Sequence, residues 1–450
     1  MSNIFTQTTS PSFTKQAVNE FFIQPMFMAE DLRGIMTVRT DVKGTERLNK
    51  VSRPSMLTKP KLSAGFNPVG GFALTYQDIT VKPMALEFEQ NAREFWGSII
   101  EQLLAQGYKE DDIEQMKSPD IWNKVMLPII AQAGQDDLIR QMWFADPSME
   151  VLAAGAATGV IDTNYSGYTG LLSWLLNDLY TGTIPSAQHV GIASAVSAVK
   201  QEVVKTFTYG ATTTKVGITI NGILYEENYL SSATVTMANW LASHKAAIEA
   251  RSGIHAVVVT NPSAGAIKIV SKYKGGSFTA VAVATGGGSF ADSGTVAAVK
   301  AGALSSNEAD STLESMIDAI TPEMYEFDLM FMLTASMWRN LVHTMKNRET
   351  AFGDTVMKNG IKVPTYEGFP IIVRPDWDKW ISVAHTGIQP HRAILTTSKN
   401  LLFATDGTTD SEMIETWYNQ EAQMRRYRVQ YKAQTAYIHK ELMVLAGFGD

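Results

Sequence analysis

At 450 residues the chain exceeds one ordinary compact core, so several domains are expected. Its 45% hydrophobic and 18% charged residues are a globular composition, and the lack of cysteine excludes disulfides and thiolate metal sites. A net charge of −7 argues against a general nucleic-acid binder. The amino terminus, MSNIFTQTTSPSFTKQ, lacks the charged-then-apolar order of a secretion signal, and no apolar run reaches the roughly 18 residues that cross a bilayer.

Residues 1–28 mix Ser, Thr, Asn and Gln with Phe5, Phe13, Phe21, Phe22 and Phe27. Such a segment reads as an extended, adhesive arm. From Arg33 to Lys61 there are eight basic and two acidic residues, whereas residues 86–120 hold nine acidic and three basic ones. A basic arm lying on a neighbour's acidic segment follows, with Phe21, Phe22, Arg39, Lys43, Arg47, Lys50, Arg53, Lys59 and Lys61 as expected inter-subunit contacts; a solvated positive loop is the plainer reading. Residues 34–40 and 45–53 can pair across Asp41-Val42-Lys43-Gly44. A tip rich in Pro and Gly follows, and FALTYQDITVKPM returns with an alternation that slips at Gln77-Asp78, as a bulge would cause.

Helical spacing is expected next. Phe88, Ala92, Phe95, Trp96, Ile99, Ile100, Leu103 and Leu104 form one stripe, ended by Gly107. Ser118-Pro119 opens a second helix running to about residue 146, and TGLLSWLLNDLY, 169–180, forms a third. From about 200 to 305 the chain turns rich in Ala, Gly, Thr and Val. VGITINGILYEE signals a hairpin on Asn221-Gly222, a helix capped by Ser231 or Ser232 follows, and HAVVVT, AIKIVS and SFTAVAVA read as strands. This stretch reads as an inserted β-rich domain. Beyond 308 a helix near 311–320, the buried strand DLMFMLT and a helix from Ala335 are expected. Then come two strands about Glu367-Gly368, AILTT and NLLFATDG about Ser398, and long strands to the end.

Little in this chain suggests catalysis. The seven histidines form no HExxH or HxH arrangement; GxSxG and GxxxxGK[ST] are absent. Gly286-Gly287-Gly288 lacks a following Lys and reads as a turn, and the run Glu110-Asp111-Asp112-Ile113-Glu114 as a solvated helix lead. No catalytic, cofactor or metal residue is expected.

NGIKVPTYEGFPIIVRPDW at 359–377, HRAILTTSKNLLFATDG at 391–407 and ETWYNQEAQMRRYRVQYKAQTAYIHKELMVL at 415–445 together resemble the major capsid proteins of tailed phages, which share the Hong Kong 97 capsid fold. Ala404-Thr405-Asp406-Gly407 departs slightly from the family's pattern there. The resemblance implies an α+β fold: an amino-terminal arm (1–28), an extended β-loop (29–85), a peripheral domain with a spine helix (86–199), an axial domain (306–390) and return strands (391–450). Residues 200–305 fall outside it as the insertion. It further implies a structural protein of the virion, made in host cytoplasm, that assembles hexamers and pentamers of an icosahedral shell. Partners would be a portal, a separate scaffolding chain, an optional decoration protein and packaged DNA by non-specific proximity, with no membrane. An encapsulin-like cargo shell and a tail tube or sheath protein are the alternatives.

Overall fold

In the computed structural model, residues 34–40, 42–52, 73–90, 127–153, 156–251, 253–347, 355–358, 361–406, 415–419, 421 and 424–449 are described. The expected arm of residues 1–28, the tip holding Arg53, Lys59 and Lys61, and residues 91–126 lie outside them. Contacts divide the chain into two units: residues 1–139 with 401–438, and residues 140–400 with 439–450.

The first unit is built on the strand Met424–Tyr437, whose fourteen residues hold three partners. Leu401–Thr405 pairs with its last part, Glu415–Asn419 with its first part, and Lys82–Gln90 runs along it from Arg425 to Ala433 on the other side. Thr37–Arg39 closes the sheet by a parallel pairing to Leu402–Ala404. Val42, Leu48, Ile79, Val81, Leu402, Ala404 and Ala436 form the local core.

Three sequence readings are corrected here. Residues 34–40 do not pair with 45–53. Leu401–Thr405 is buried and needs a neighbour on each side, which Thr37–Arg39 supplies. Thr45–Ser52 finds a longer partner in Ala73–Thr80, with eight consecutive pairs. That register has no shift, so the slip at Gln77-Asp78 is no bulge: Ile79 and Val81 are buried at the root, while Leu74 and Tyr76 lie on the opposite, open face. Nor does helix begin at Phe88. Lys82–Gln90 is a strand, because Phe88, Leu86 and Met84 meet Tyr427, Val429 and Tyr431 across the ladder.

The second unit holds a seven-stranded sheet. Its order is Thr355–Lys358, Ile361–Tyr366, Phe369–Arg374, Leu329–Thr334, Ala393–Thr397, Met443–Ala446 and His189–Val190. Leu329–Thr334 runs parallel to Phe369–Arg374 and antiparallel to Ala393–Thr397, and every residue of it is buried. That burial on both faces is why the DLMFMLT segment reads as unbroken apolar rather than alternating. Glu367 and Gly368 take φ of 48° and 87°, the left-handed pair that a tight hairpin requires. The helices Glu308–Asp318 and Ala335–Asn347 contribute Leu313, Met316, Met337 and Leu341 to the core beneath this sheet. AILTT and NLLFATDG, expected around one turn, part into different sheets after Asn400.

Residues 202–296 of the same unit form two small sheets around the helix Ala233–Glu249. Val257–Thr260, Ala266–Ser271, Glu202–Thr208 and Ser289–Val296 make one; Ile223–Asn228, Lys215–Ile220 and Ala280–Thr285 make the other. Their core gathers Val216, Ile218, Ile220, Met237, Trp240, Ile267 and Ile269. Asn221 and Gly222, both at positive φ, make the expected turn, and Ser232 Oγ caps the helix by accepting from Val235 N at 3.2 Å. Glu202–Thr208 and Ser289–Val296 were not read from the sequence as strands. The segment leaves and rejoins through neighbouring bridges, Ser194 to Leu304 and Val199 to Val299.

Candidate assembly surface

The first unit presents the hairpin Thr45–Ser52/Ala73–Thr80 as its most distinctive surface. Arg47 and Asp78 stand directly opposite each other in the ladder. Arg47 Nε donates to Asp78 Oδ1 at 2.8 Å and the terminal guanidinium nitrogen to Oδ2 at 2.9 Å, a bidentate fork. The Arg47 guanidinium also lies 4.0 Å from the centre of the Tyr76 ring. The hydrogen bond from Arg47 holds the Asp78 carboxyl below its ordinary range, and the same bond raises Arg47. Beside this fork Leu74 and Tyr76 are 67% and 61% exposed. The hairpin therefore carries apolar side chains outward beside an exposed ion pair that adds only a modest cross-strand contact.

Of the expected contact residues, Arg39 bonds Glu46 and Arg47 bonds Asp78, both within the chain. Lys43 is exposed at the hairpin root, and its carbonyl accepts from Lys432 Nζ at 3.3 Å. Lys50 lies in the strand Thr45–Ser52. Phe21, Phe22, Arg53, Lys59 and Lys61 are outside the described residues. The simple opposition of a basic arm to an acidic segment is thus partly taken up inside the subunit. Glu87 and Glu89, counted with the acidic stretch, bond Arg428 and Arg426 at 2.7 and 3.0 Å across the ladder. Phe88 stacks on Tyr427 between them, ring centres 4.5 Å apart. The spacing of two in Glu87/Glu89 and Arg426/Arg428 was the available signal; a helical stripe that also fits Phe88 concealed it.

The second unit buries its polar chemistry. His385 is fully enclosed, its Nδ1 2.6 Å from the Arg392 guanidinium and its Nε2 3.3 Å from Ser173 Oγ. Burial first, and the Arg392 charge second, push its pKa well below the ordinary histidine value. A histidine backed by a cation is poorly suited to be a general base, so the pair fits a structural role. A cleft of about 270 Å³ nearby is lined by Asp146, Ser148, Ser173, Trp174, Asn177 and Tyr273. Among the described residues no three His, Asp or Glu side chains are grouped to hold a metal ion, and no helix is long and apolar enough to cross a membrane.

The described residues thus form an α+β chain with a hairpin bearing exposed Leu74 and Tyr76 on one unit and a β-rich segment set into the other. Solved structures with which it shares low similarity include phage capsids and an encapsulin complex. Against the satellite phage P4 procapsid it is 10% identical, covering 94% of this chain and 97% of that one, with a TM-score of 0.42. The capsid of Ralstonia phage GP4 gives 8% identity, coverage of 92% and 87%, and a TM-score of 0.37. The holo-encapsulin complex of Synechococcus elongatus PCC 7942 gives 13% identity over 32% of this chain and 49% of that one, with a TM-score of 0.25. No family model and no curated protein sequence matches the chain.

Proposed function

We propose that the chain is the major capsid protein of a tailed bacteriophage, a virion protein that assembles copies of itself into a closed shell. One observation carries the reading: Leu74 and Tyr76 lie exposed on a hairpin of eight consecutive pairs, beside the Arg47–Asp78 fork. Exposed apolar residues on a preordered arm cost solubility unless another surface covers them, and a second copy is the surface always at hand. The element order agrees with the resemblance borne by residues 359–445. In that reading residues 29–85 are the extended loop, 86–199 and 391–450 the peripheral domain, 306–390 the axial domain and 200–305 the insertion. Lys43, Lys50, Arg53, Lys59 and Lys61 then supply charge that orients the arm on its neighbour, with Phe21 and Phe22 as anchors from the amino arm. Hexamers and pentamers, a portal, a separate scaffolding chain and a decoration protein are the partners that follow, with DNA as enclosed cargo.

The test is negative-stain electron microscopy of the full chain beside a Leu74→Ser/Tyr76→Ser variant. The wild-type protein should form closed shells, and the variant should stay folded by circular dichroism yet form none. Cylinders from the wild type would instead identify a tail tube or sheath protein. Shells that package a protein cargo would identify an encapsulin-like compartment. Shells from the variant would remove the hairpin from the assembly contact.

A further inference from the structure

Two surface patches of the second unit, one exposed and one half-exposed, differ in charge and lie at opposite ends of the same sheet. The first precedes Leu329–Thr334. In the short 3-10 turn Pro322–Glu326 and the two residues after it, Tyr325 is 62% and Phe327 39% exposed, alongside exposed Glu323, Glu326 and Asp328. Only Met324 of that turn is buried, so the turn is anchored by one side chain and shows its aromatic residues to solvent.

The second patch is on the helix Pro375–Ala384, which follows Phe369–Arg374. Trp380 has the Arg140 guanidinium 5.5 Å from its ring and Lys379 Nζ 4.4 Å from it, and Val383 beyond is 48% exposed. The helix's own acids are turned to internal tasks. Asp376 bonds Arg374 at 2.9 Å, and Asp378 accepts from Ala335 N and Ser336 N at 2.6 and 3.2 Å. Lys379 is the exposed cation here, beside a half-buried Trp380 whose other neighbour, Arg140, also lies over the Tyr165 ring.

Strand direction fixes where the patches lie. Leu329–Thr334 and Phe369–Arg374 run parallel, with Thr334 opposite Arg374, so the acidic turn is at their amino end and the tryptophan helix at their carboxyl end. The helix stays there: Asp378 caps the helix that begins at Ala335, and His385 reaches Arg392, whose carbonyl accepts from Thr334 N. Six residues at about 3.3 Å each separate the two ends.

We propose that these patches bind each other between copies of the chain, the acidic aromatic turn of one subunit seating on the Trp380 patch of the next. Unlike patches at opposite ends make a heterologous contact, which propagates head to tail and closes into a ring when the rotation allows. Resting on the shell-forming reading above, this names the residues that join neighbours within a ring. Aromatic and arginine side chains ringed by opposite charge are the composition of a binding hot spot.

The chain has no cysteine, which makes the test clean. Full-length protein carrying both Tyr325→Cys and Val383→Cys, oxidised after assembly, should give a ladder of linked multimers on a non-reducing gel. Either substitution alone should give none. Charge reversal by Lys379→Glu or by Asp328→Lys should each raise the concentration needed for assembly about tenfold, and the two together should restore it. Shells without a ladder, or assembly indifferent to both reversals, would overturn the contact and leave the shell reading standing. Wild-type protein that stays monomeric at every concentration would overturn both.

Discussion

Gly275 and Gly387 meet backbone to backbone in the second unit: a Cβ added to Gly275 would stand 1.9 Å from the Gly387 carbonyl oxygen, and one added to Gly387 would stand 2.3 Å from that of Gly275. Both take positive φ, 75° and 91°. The contact fastens the β-rich segment to the loop before Arg392. Lys272 adds a hydrogen bond to Asn177 Oδ1 at 3.1 Å, and Arg251 bonds Glu150. Gly275→Ala should therefore lower stability by about 2 kcal/mol or more, since a methyl group there meets backbone that cannot step aside. Chemical denaturation of the variant measures it; an unchanged midpoint would show that the segment is not fastened there.

Acid should weaken the second unit. His385, His391 and His255 are each held below the ordinary histidine value, chiefly by burial. With folded pKa values lowered, the unfolded chain binds the extra protons. Stability is thus full above the ordinary value of 6.5 and falls as the pH drops below it. Each such histidine can add a slope of up to about 1.4 kcal/mol per pH unit. Urea midpoints between pH 8 and pH 5 should show this, and His385→Gln should flatten the slope. An equal slope in the variant would relieve His385 of the role.

Asn400 ties a chain reversal. Its Nδ2 donates to Thr396 Oγ1 at 3.1 Å and to the His439 carbonyl at 2.9 Å, and its Oδ1 accepts from His439 N at 2.6 Å. At 1% exposure, no solvent is at hand to replace these bonds. Asn400→Ala should cost about 2–3 kcal/mol, because buried donors and acceptors are left unmet. Thermal unfolding gives the number, and Asn400→Asp should not restore it, having lost the donor.

Glu87 and Arg428 are more exposed and matter less. A double-mutant cycle with Glu87→Ala and Arg428→Ala should return a coupling of about 0.2–1 kcal/mol, smaller in high salt. A coupling several-fold larger, or one insensitive to salt, would mean the ladder is shielded from solvent in a way its side chains do not suggest.

Much of the local structure was legible because turns and buried strands are written in neighbouring residues. Asn221-Gly222 and Glu367-Gly368 announce their hairpins, Ser232 its helix cap, and LMFMLT a strand enclosed on both faces. Composition and motif spacing argued against disulfides, thiolate metal sites and the familiar hydrolase and phosphate-loop motifs, and the basic stretch ahead of an acidic one pointed to an arm lying on a neighbour. Those inferences rest on what each residue type can do in any setting.

Pairing is different, because it depends on which distant strand arrives alongside. Thr37–Arg39 found its partner at Leu402–Ala404, and Lys82–Gln90 at Arg425–Ala433. No turn signal marks such partners, and a phenylalanine such as Phe88 fits a helical stripe as readily as a ladder. The basic residues show the same limit most plainly. The sequence could count Arg39 and Arg47 as positive charge for a neighbour, yet only the folded hairpin sets Glu46 and Asp78 against them, so that the charge is answered within the chain and Leu74 and Tyr76 are what the arm holds out.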